Sequence, residues 1–410
     1  MNNKRNDNLI IGINLGDYGS TGNIMLNSLE YAHKNGSFDV LALIPYETQQ
    51  KNIVRTISFS AKICVLKHIY YVLLRKIKLP IINDGNYYNE YTAKLIAIII
   101  QESKHYKNTI IHLHNLHMCN LNVSKLYKWL HKHNEYNVIY SLYDCWAFTG
   151  GCYHYSSIHC YQWEKECSNC PLKIKYAHHQ LITRTKQLLK IKNLIMNPTS
   201  HWMELQLSKS KLHPLPSIMI YSETNLKRLK RNETLLAKYN LYNKKIVLAV
   251  GAYWNEWKGT KYLYEIHDKL PDNYKLIIIG SGIDKEKCKN AITIKQVNQI
   301  TELPLFFEIA DVYVSVTQAE TLGLTTCEAQ ICGTPVVMFG HCGSIETIIN
   351  GKTGIVVGDD NNVDKMITSI KHIVEDKPFK EKDIVESGNR FKKYEASKKY
   401  LLLYEQLTTK

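Results

Sequence analysis

Two doubly wound α/β domains in series are the fold class predicted by this 410-residue sequence. Three observations lead there. Short apolar runs alternate with helical patterns along both halves, the signature of parallel sheets. A polar stretch at 208–232, with Pro214 and Pro216, separates the two alternating runs and reads as a linker. The length suits two or three domains of roughly 100–200 residues each.

The elements follow in order. Residues 9–15 are a continuous apolar run, read as a buried strand, followed by a glycine-containing loop at 16–22 and a helix to about 34. Further strands are expected at 39–44, 109–114 and 137–142, with helices at 93–101 and 122–133. Residues 144–176 break the rhythm with five cysteines and many aromatics, before a strand at 194–197 and a helix from His201. The second run has strands at 245–250, 274–279, 312–316 and 335–338 and helices at 260–270, 303–310, 324–332 and 362–374. Two helical patterns, 382–390 and 396–407, close the chain. The expected division is 1–214, carrying the insertion 144–176, then 215–392, with 393–410 a C-terminal helix returning to the first domain. Ligands of such sheets bind at the carboxyl ends of the strands, here in the cleft between domains.

The composition, 45% hydrophobic and 22% charged, is that of a globular chain and excludes a disordered one or a small disulfide scaffold. No segment approaches the ~20 apolar residues that span a bilayer; the longest aliphatic run is Leu95 to Ile100. The apolar stretch 9–13 is too short for the core of a signal peptide. The eleven cysteines are therefore expected as thiols or metal ligands.

The net charge of +15 is unevenly spread. Residues 1–214 hold 25 basic and 13 acidic residues, and residues 215–410 hold 27 and 24. Two stretches of the first half, 51–83 and 171–203, contain no acid. Nucleic acid, an anionic membrane surface and a phosphorylated ligand are the candidate partners, against a solvated lysine-rich surface. The mixture of aliphatic and basic residues over 53–78 suits an interfacial amphipathic helix or, equally, a helix packed on its own domain.

The strongest chemical signal is Glu320-Thr-Leu-Gly-Leu-Thr-Thr-Cys-Glu328. A loop carboxylate precedes a helix start, and a second carboxylate sits one turn in. Backbone N–H groups at such a start hold anions or sugar oxygens, and a carboxylate can accept two hydroxyl donors from a ribose. Around it stand Gly333-Thr-Pro-Val336, His341-Cys-Gly-Ser-Ile-Glu346 and Asn350-Gly-Lys-Thr-Gly354. Upstream are Trp254-Asn-Glu-Trp-Lys258-Gly259 and Gly280-Ser-Gly282. In the first half stand Gly19-Ser-Thr-Gly22, Ile111-His-Leu-His-Asn-Leu-His117 and Asp144-Cys-Trp-Ala-Phe-Thr-Gly-Gly-Cys152.

With these elements in this order the chain resembles the retaining glycosyltransferases of family 4, which have the GT-B fold of two Rossmann-like domains facing across a cleft. Its Cys-containing segment resembles a subgroup that builds bacterial extracellular polysaccharides such as colanic acid. The resemblance implies transfer of a sugar from a UDP- or GDP-sugar to a lipid-linked saccharide acceptor, at the cytoplasmic face of a membrane and without nucleic acid. It implies Glu320, Lys258 and Asp144 as catalytic residues, Glu320 on the sugar hydroxyls and Lys258 on the leaving diphosphate. It implies donor contacts from Gly19, Ser20, Thr21, Gly22, Tyr143, Gly280, Gly282, Val297, Gly323, Leu324, Thr325 and Glu328. No catalytic cofactor is expected, and no Asp-x-Asp motif occurs. Two positions depart from the family pattern: Ala252 stands where an Arg is usual, and Tyr143 where a His is usual. They keep open a slow or inactive protein of the same fold. The spacing of Cys152, Cys160, Cys167 and Cys170 suits a structural Cys₄ zinc site, with buried thiols or a redox pair as the alternative. A basic, zinc-containing nucleic-acid-binding protein is the rival function; it leaves the second half unexplained.

Overall fold

The computed structural model describes residues 6–45, 54–59, 89–117, 119–230 and 233–409. The first sheet contains β1 (Asn8–Ile13), β2 (Phe38–Ile44), β3 (Arg55–Ser58), β4 (Asn108–Leu113), β5 (Tyr136–Leu142) and β6 (Leu194–Pro198). Its helices are α1 (Gly19–Asn35), α2 (Asn89–Ser103), α3 (Val123–Lys132), α4 (Ala177–Leu188) and α5 (His201–Lys209). The second sheet contains β7 (Lys245–Tyr253), β8 (Tyr274–Ser281), β9 (Ile292–Ile294), β10 (Val312–Ser315), β11 (Val336–Met338) and β12 (Gly354–Val356). Around it lie α6 (Glu233–Lys238), α7 (Thr260–Lys269), α8 (Leu303–Ile309), α9 (Leu324–Ile331), α10 (Val363–Asp376) and α11 (Glu381–Asn389), and α12 (Glu395–Thr408) ends the chain.

Both sheets are parallel, with strand orders β3-β2-β1-β4-β5-β6 and β12-β11-β10-β7-β8-β9. Helices on both faces explain why the central strands read as continuous apolar runs. Gly12 shows how closely they pack, since a Cβ there would meet the Met25 side chain at 2.9 Å. The sequence reading missed β9 and β12, three-residue edge strands too short to carry a period. It also missed α4 and α6. In the 53–78 stretch, residues 55–58 form β3 rather than helix, and the rest, apart from Val54 and Phe59, lies outside the described residues.

Over its described residues, 208–230, the stretch read as a linker is hydrogen-bonded to both neighbouring sheets' elements. Its 216–220 portion runs along β6 through the bonds Met196 N–H to Pro216 O (2.8 Å) and Ile218 N–H to Met196 O (3.0 Å). At Thr224 the N–H donates to Phe391 O (2.9 Å), where the chain returns toward the first sheet. Glu223 caps α12 there: its carboxylate accepts from the N–H groups of Ala396 (2.9 Å) and Ser397 (3.0 Å) and from Ser397 Oγ (2.8 Å). α12 then packs on α1, with Tyr400 and Tyr404 wholly buried.

Residues 144–176 contain three short 3₁₀ turns and no strand. Arg184, buried on α4, fastens them. Its guanidinium lies 3.6 Å over the Trp146 ring and donates to Trp146 O (2.6 Å) and Thr149 O (2.8 Å).

Candidate functional site

A cleft of about 950 Å³ lies at the carboxyl ends of β7, β8 and β10, opposite the start of α1. Two helix N-termini face it. α9 begins at Gly323, with φ +82°, and α1 begins at Gly19, with φ +68°. Neither N-cap residue caps its helix with its side chain, and N–H groups at such helix starts can hold a ligand. Gly323, Leu324, Thr325 and Glu328 line the cleft, as do Gly19, Ser20 and Thr21. Gly22 lies behind them, because a Cβ there would meet Gly16 O at 2.8 Å.

Lys258 and Glu320, expected to act separately, form one ion pair. Lys258 Nζ lies 2.6 Å from Glu320 Oε2, with both side chains about a quarter exposed (23% and 25%). The strand–loop–helix from β7 to α7 places the lysine. Gly259 ends that loop with φ +81°, and a Cβ there would meet Val316 O at 2.1 Å. Trp257 supports the ammonium, which sits 4.6 Å over its ring. Burial raises the Glu320 carboxyl, but the Lys258 charge and hydrogen bond outweigh it, so the group is held below its ordinary range as a carboxylate.

Glu328 has a different environment. It is 2% exposed, and Oε1 accepts from Thr224 Oγ1 (2.6 Å) and Gln299 Nε2 (3.1 Å). Burial pushes its carboxyl up to about 7 against the pull of these two donors. Hydroxyl donors from a ligand would replace lost water and restore the charge. Thr224 and Gln299 were missed by sequence reasoning, because neither belongs to a motif and each meets Glu328 only in the fold.

Val297 lines the far end of the cleft beside Lys295 and Gln299. Gly280 and Gly282 do not line it: Cβ atoms there would meet Gly251 O at 2.1 Å and Trp254 O at 2.3 Å. They make room for the Trp254 loop, whose indole Nε1 donates to Ile279 O (3.0 Å). Ala252 lines the cleft as well, which leaves Lys258 and Lys295 as its cations among the described residues.

Tyr143 reaches the cleft from the first sheet, and its carbonyl accepts from Thr321 Oγ1 (2.8 Å) across it. Its hydroxyl bonds His114 Nδ1 (2.8 Å), and burial pushes the phenol well above its usual range. Asp144 faces a small adjoining cavity with Asn115 and His117. Its Oδ1 accepts from Trp146 N–H (2.8 Å), and Oδ2 stands 3.6 Å from His117 Nδ1. Burial pushes Asp144 up to about 7 and His117 down to about 4, so between those values both are neutral and no ion pair forms. His112 is a satisfied core residue, bonded to Tyr404 OH (2.7 Å) and Ser141 Oγ (2.8 Å). Asn14 also escaped the motif search; it braces the α1 loop, donating to Gly16 O (2.8 Å) and accepting from Asn115 N–H (3.0 Å).

Cys152, Cys160, Cys167 and Cys170 line one small cavity together with Trp163 and Ile174. Burial, and then the nearby thiols, push Cys152 up to about 11. As placed, no three His, Cys, Asp or Glu side chains among the described residues are gathered closely enough to hold a metal ion.

The cleft between the two parallel sheets thus combines paired helix starts with a lysine–glutamate pair. Residues 232–396 match the family of glycosyl transferases group 1. An uncharacterized glycosyltransferase of Haemophilus influenzae is 25% identical over 166 residues, 38% of this chain and 47% of that protein. A Campylobacter jejuni N,N'-diacetylbacillosaminyl-diphospho-undecaprenol alpha-1,3-N-acetylgalactosaminyltransferase is 21% identical over 252 residues, 58% of this chain and 62% of that one. The chain thus spans about half to three fifths of these relatives. The Anabaena HepE structure with UDP and glucose superposes with a TM-score of 0.66 at 13% identity, over 98% of this chain and all of that one (100%). The fold is GT-B.

Proposed function

We propose that the chain is a retaining glycosyltransferase that moves a sugar from a nucleotide diphosphate to a lipid-linked saccharide acceptor. The observation that carries this reading is the convergence of Gly323, Lys258, Glu320 and Glu328 on one cleft. Glu328 takes the ribose hydroxyls. The N–H groups at Gly323–Thr325 and the Lys258 ammonium take the diphosphate, whose charge grows as the anomeric carbon–oxygen bond breaks. Glu320 holds Lys258 until the diphosphate arrives and is then free to accept from the donor sugar's hydroxyls. The acceptor oxygen bonds the anomeric carbon on the face the phosphate leaves, and its proton passes to a phosphate oxygen. Asp144 and Tyr143 line the acceptor side. HepE supports UDP as the carrier, and the Campylobacter relative supports a lipid-diphosphate acceptor, by what those proteins bind or act on.

The test is a thermal-shift panel of UDP- and GDP-sugars, since a ligand of the folded state raises its melting temperature. A single stabilising sugar nucleotide, with transfer abolished in Glu328→Ala, supports the reading. Binding without hydrolysis or transfer supports an inactive scaffold of the same fold. Stronger, salt-dependent binding to random DNA than to any sugar nucleotide supports the nucleic-acid reading.

Peripheral attachment to an anionic membrane at the cytoplasmic face is the second part of the proposal. No described helix is long and apolar enough to cross a membrane. The outer face of α4 and its flanks exposes Leu172, Tyr176, Ile182 and Leu189 beside Lys186 and Lys190. Such a surface suits an anionic interface. Flotation with phosphatidylglycerol vesicles but not phosphatidylcholine vesicles supports it; equal recovery with neither rejects it. A structural zinc at Cys152, Cys160, Cys167 and Cys170 is a separate proposal. It rests on the spacing of the four cysteines alone, since as placed they are not gathered closely enough to hold an ion, and metal analysis of protein purified without chelator rejects it at a molar ratio near zero.

A further inference from the structure

The family-wide cleft accounts for neither the insertion 144–176 nor its position. Its turn Tyr155–Ile158 and the preceding His154 reach across to the second domain at two points. The His154 ring lies 5.0 Å from the Trp257 ring, tilted by 31°. Two residues on, Ser156 Oγ is 3.2 Å from Cys342 Sγ. Each contact leads to one half of the central ion pair. Trp257 is the platform under the Lys258 ammonium. Cys342 has φ +55°, and the next residue, Gly343, donates its N–H to Glu320 O (3.1 Å). A Cβ at Gly343 would meet Thr321 O at 1.8 Å, so this turn is pressed against the Glu320 loop. The insertion therefore touches the lysine side through an aromatic contact and the glutamate side through the main chain.

We propose that His154 is a positioning residue for the Lys258–Glu320 pair, acting through Trp257, and that the insertion sets the strength with which the cleft holds a nucleoside diphosphate. The inference rests on the glycosyltransferase reading above and adds a residue that lies outside the cleft's own lining. Its physical basis is restriction. Trp257 is only partly buried, and an ammonium held over a ring is as fixed as that ring. His154 removes freedom from the indole before the ligand arrives, so less is lost on binding. Both acidic and basic partners already act on it: burial lowers His154 below its ordinary range, Glu320 opposes that, and Lys258 adds to it.

The experiment is calorimetric titration of the full chain with UDP and, separately, with GDP, for wild type, His154→Ala, His154→Phe, Lys258→Ala and the His154→Ala/Lys258→Ala pair. His154→Ala should weaken the preferred diphosphate roughly tenfold, within the range for coupled neighbours. His154→Phe should recover most of that loss, because it keeps the ring and removes the imidazole. In the Lys258→Ala background His154→Ala should have little further effect. A purely structural role would give equal losses in both backgrounds and would overturn the proposal, as would unchanged affinity in a folded His154→Ala protein. Where His154→Ala melts early, His154→Phe and Trp257→Leu carry the test: Trp257→Leu must weaken binding and His154→Phe must not. A wild type that binds neither diphosphate overturns the function reading, and the inference with it; a wild type that binds while the variants match it overturns the inference alone.

Discussion

The starts of α9 and α1 are one backbone device used twice. Each follows a parallel strand, each turns through a glycine with positive φ, and neither is capped by the side chain of its N-cap residue. Their surroundings differ. A Cβ at Gly323 would lie 3.3 Å from the Glu320 side chain and from Ser344 Cβ, whereas at Gly19 nothing lies within 4 Å. The α9 start is ringed by Lys258, Glu320 and Glu328, while α1 has no acid in its first turn and is braced by neutral Asn14. In the proposed transfer, the α9 start is where charge changes. A helix start alone can hold an anion. Only the α9 start carries side chains able to answer a growing charge.

The largest expected effect tests that statement directly. Lys258→Ala should lower turnover about 10²- to 10³-fold, the scale of losing one preorganised group at a developing charge. A steady-state assay in which it is no worse than Gly19→Ala would erase the contrast. Next comes the buried carboxylate. Glu328 has its proton affinity raised from 4.5 to about 7 on folding, so the folded state holds that proton more tightly. Its stabilising contribution is complete below 4.5 and is lost as pH rises through about 7. Glu328→Gln removes this dependence. Its melting temperature should match the wild type at pH 4.5 and exceed it at pH 8, by on the order of 3 kcal/mol in stability, while nucleoside-diphosphate affinity falls. A variant no more stable at pH 8 would mean that the carboxylate is not held at a cost.

The smaller effects sharpen the comparison between the glycines. Gly323→Ala and Gly19→Ala each place an L-residue in left-handed backbone, worth roughly 1–2 kcal/mol. Gly323→Ala must also displace the Glu320 side chain, so its loss of turnover should exceed that of Gly19→Ala by about tenfold or more, one such increment of 1.4 kcal/mol. Equal losses in parallel assays would place the two helix starts on the same footing.

Much of the scaffold was legible because it is local. A buried parallel strand announces itself as an unbroken apolar run, as in Ile10–Ile13, and a glycine before a helix marks a turn that other residues resist. The Glu320–Glu328 motif and Lys258 could be named for the same reason. The three-residue strands β9 and β12 were not legible, since a period needs more residues than they have. Gly280 and Gly282 were read as ligand contacts because a glycine's freedom is visible in sequence but its neighbour is not; here the neighbour is Trp254. Thr224 and Gln299 carried no signal, being ordinary polar residues whose role depends on meeting Glu328.

By itself the sequence determined two sheets, their order, and the residue types placed at the strand ends, because these follow from spacings of two to four residues. The tertiary structure decided what those residues do to one another. It joined Lys258 to Glu320 across 62 positions and Cys342 to Ser156 across 186. It turned His112 into a core residue through Tyr404, 292 positions away. It also brought a cysteine-rich insertion against the lysine's own platform. Charge state, burial and restraint are properties of such long-range neighbours, and no local pattern encodes them.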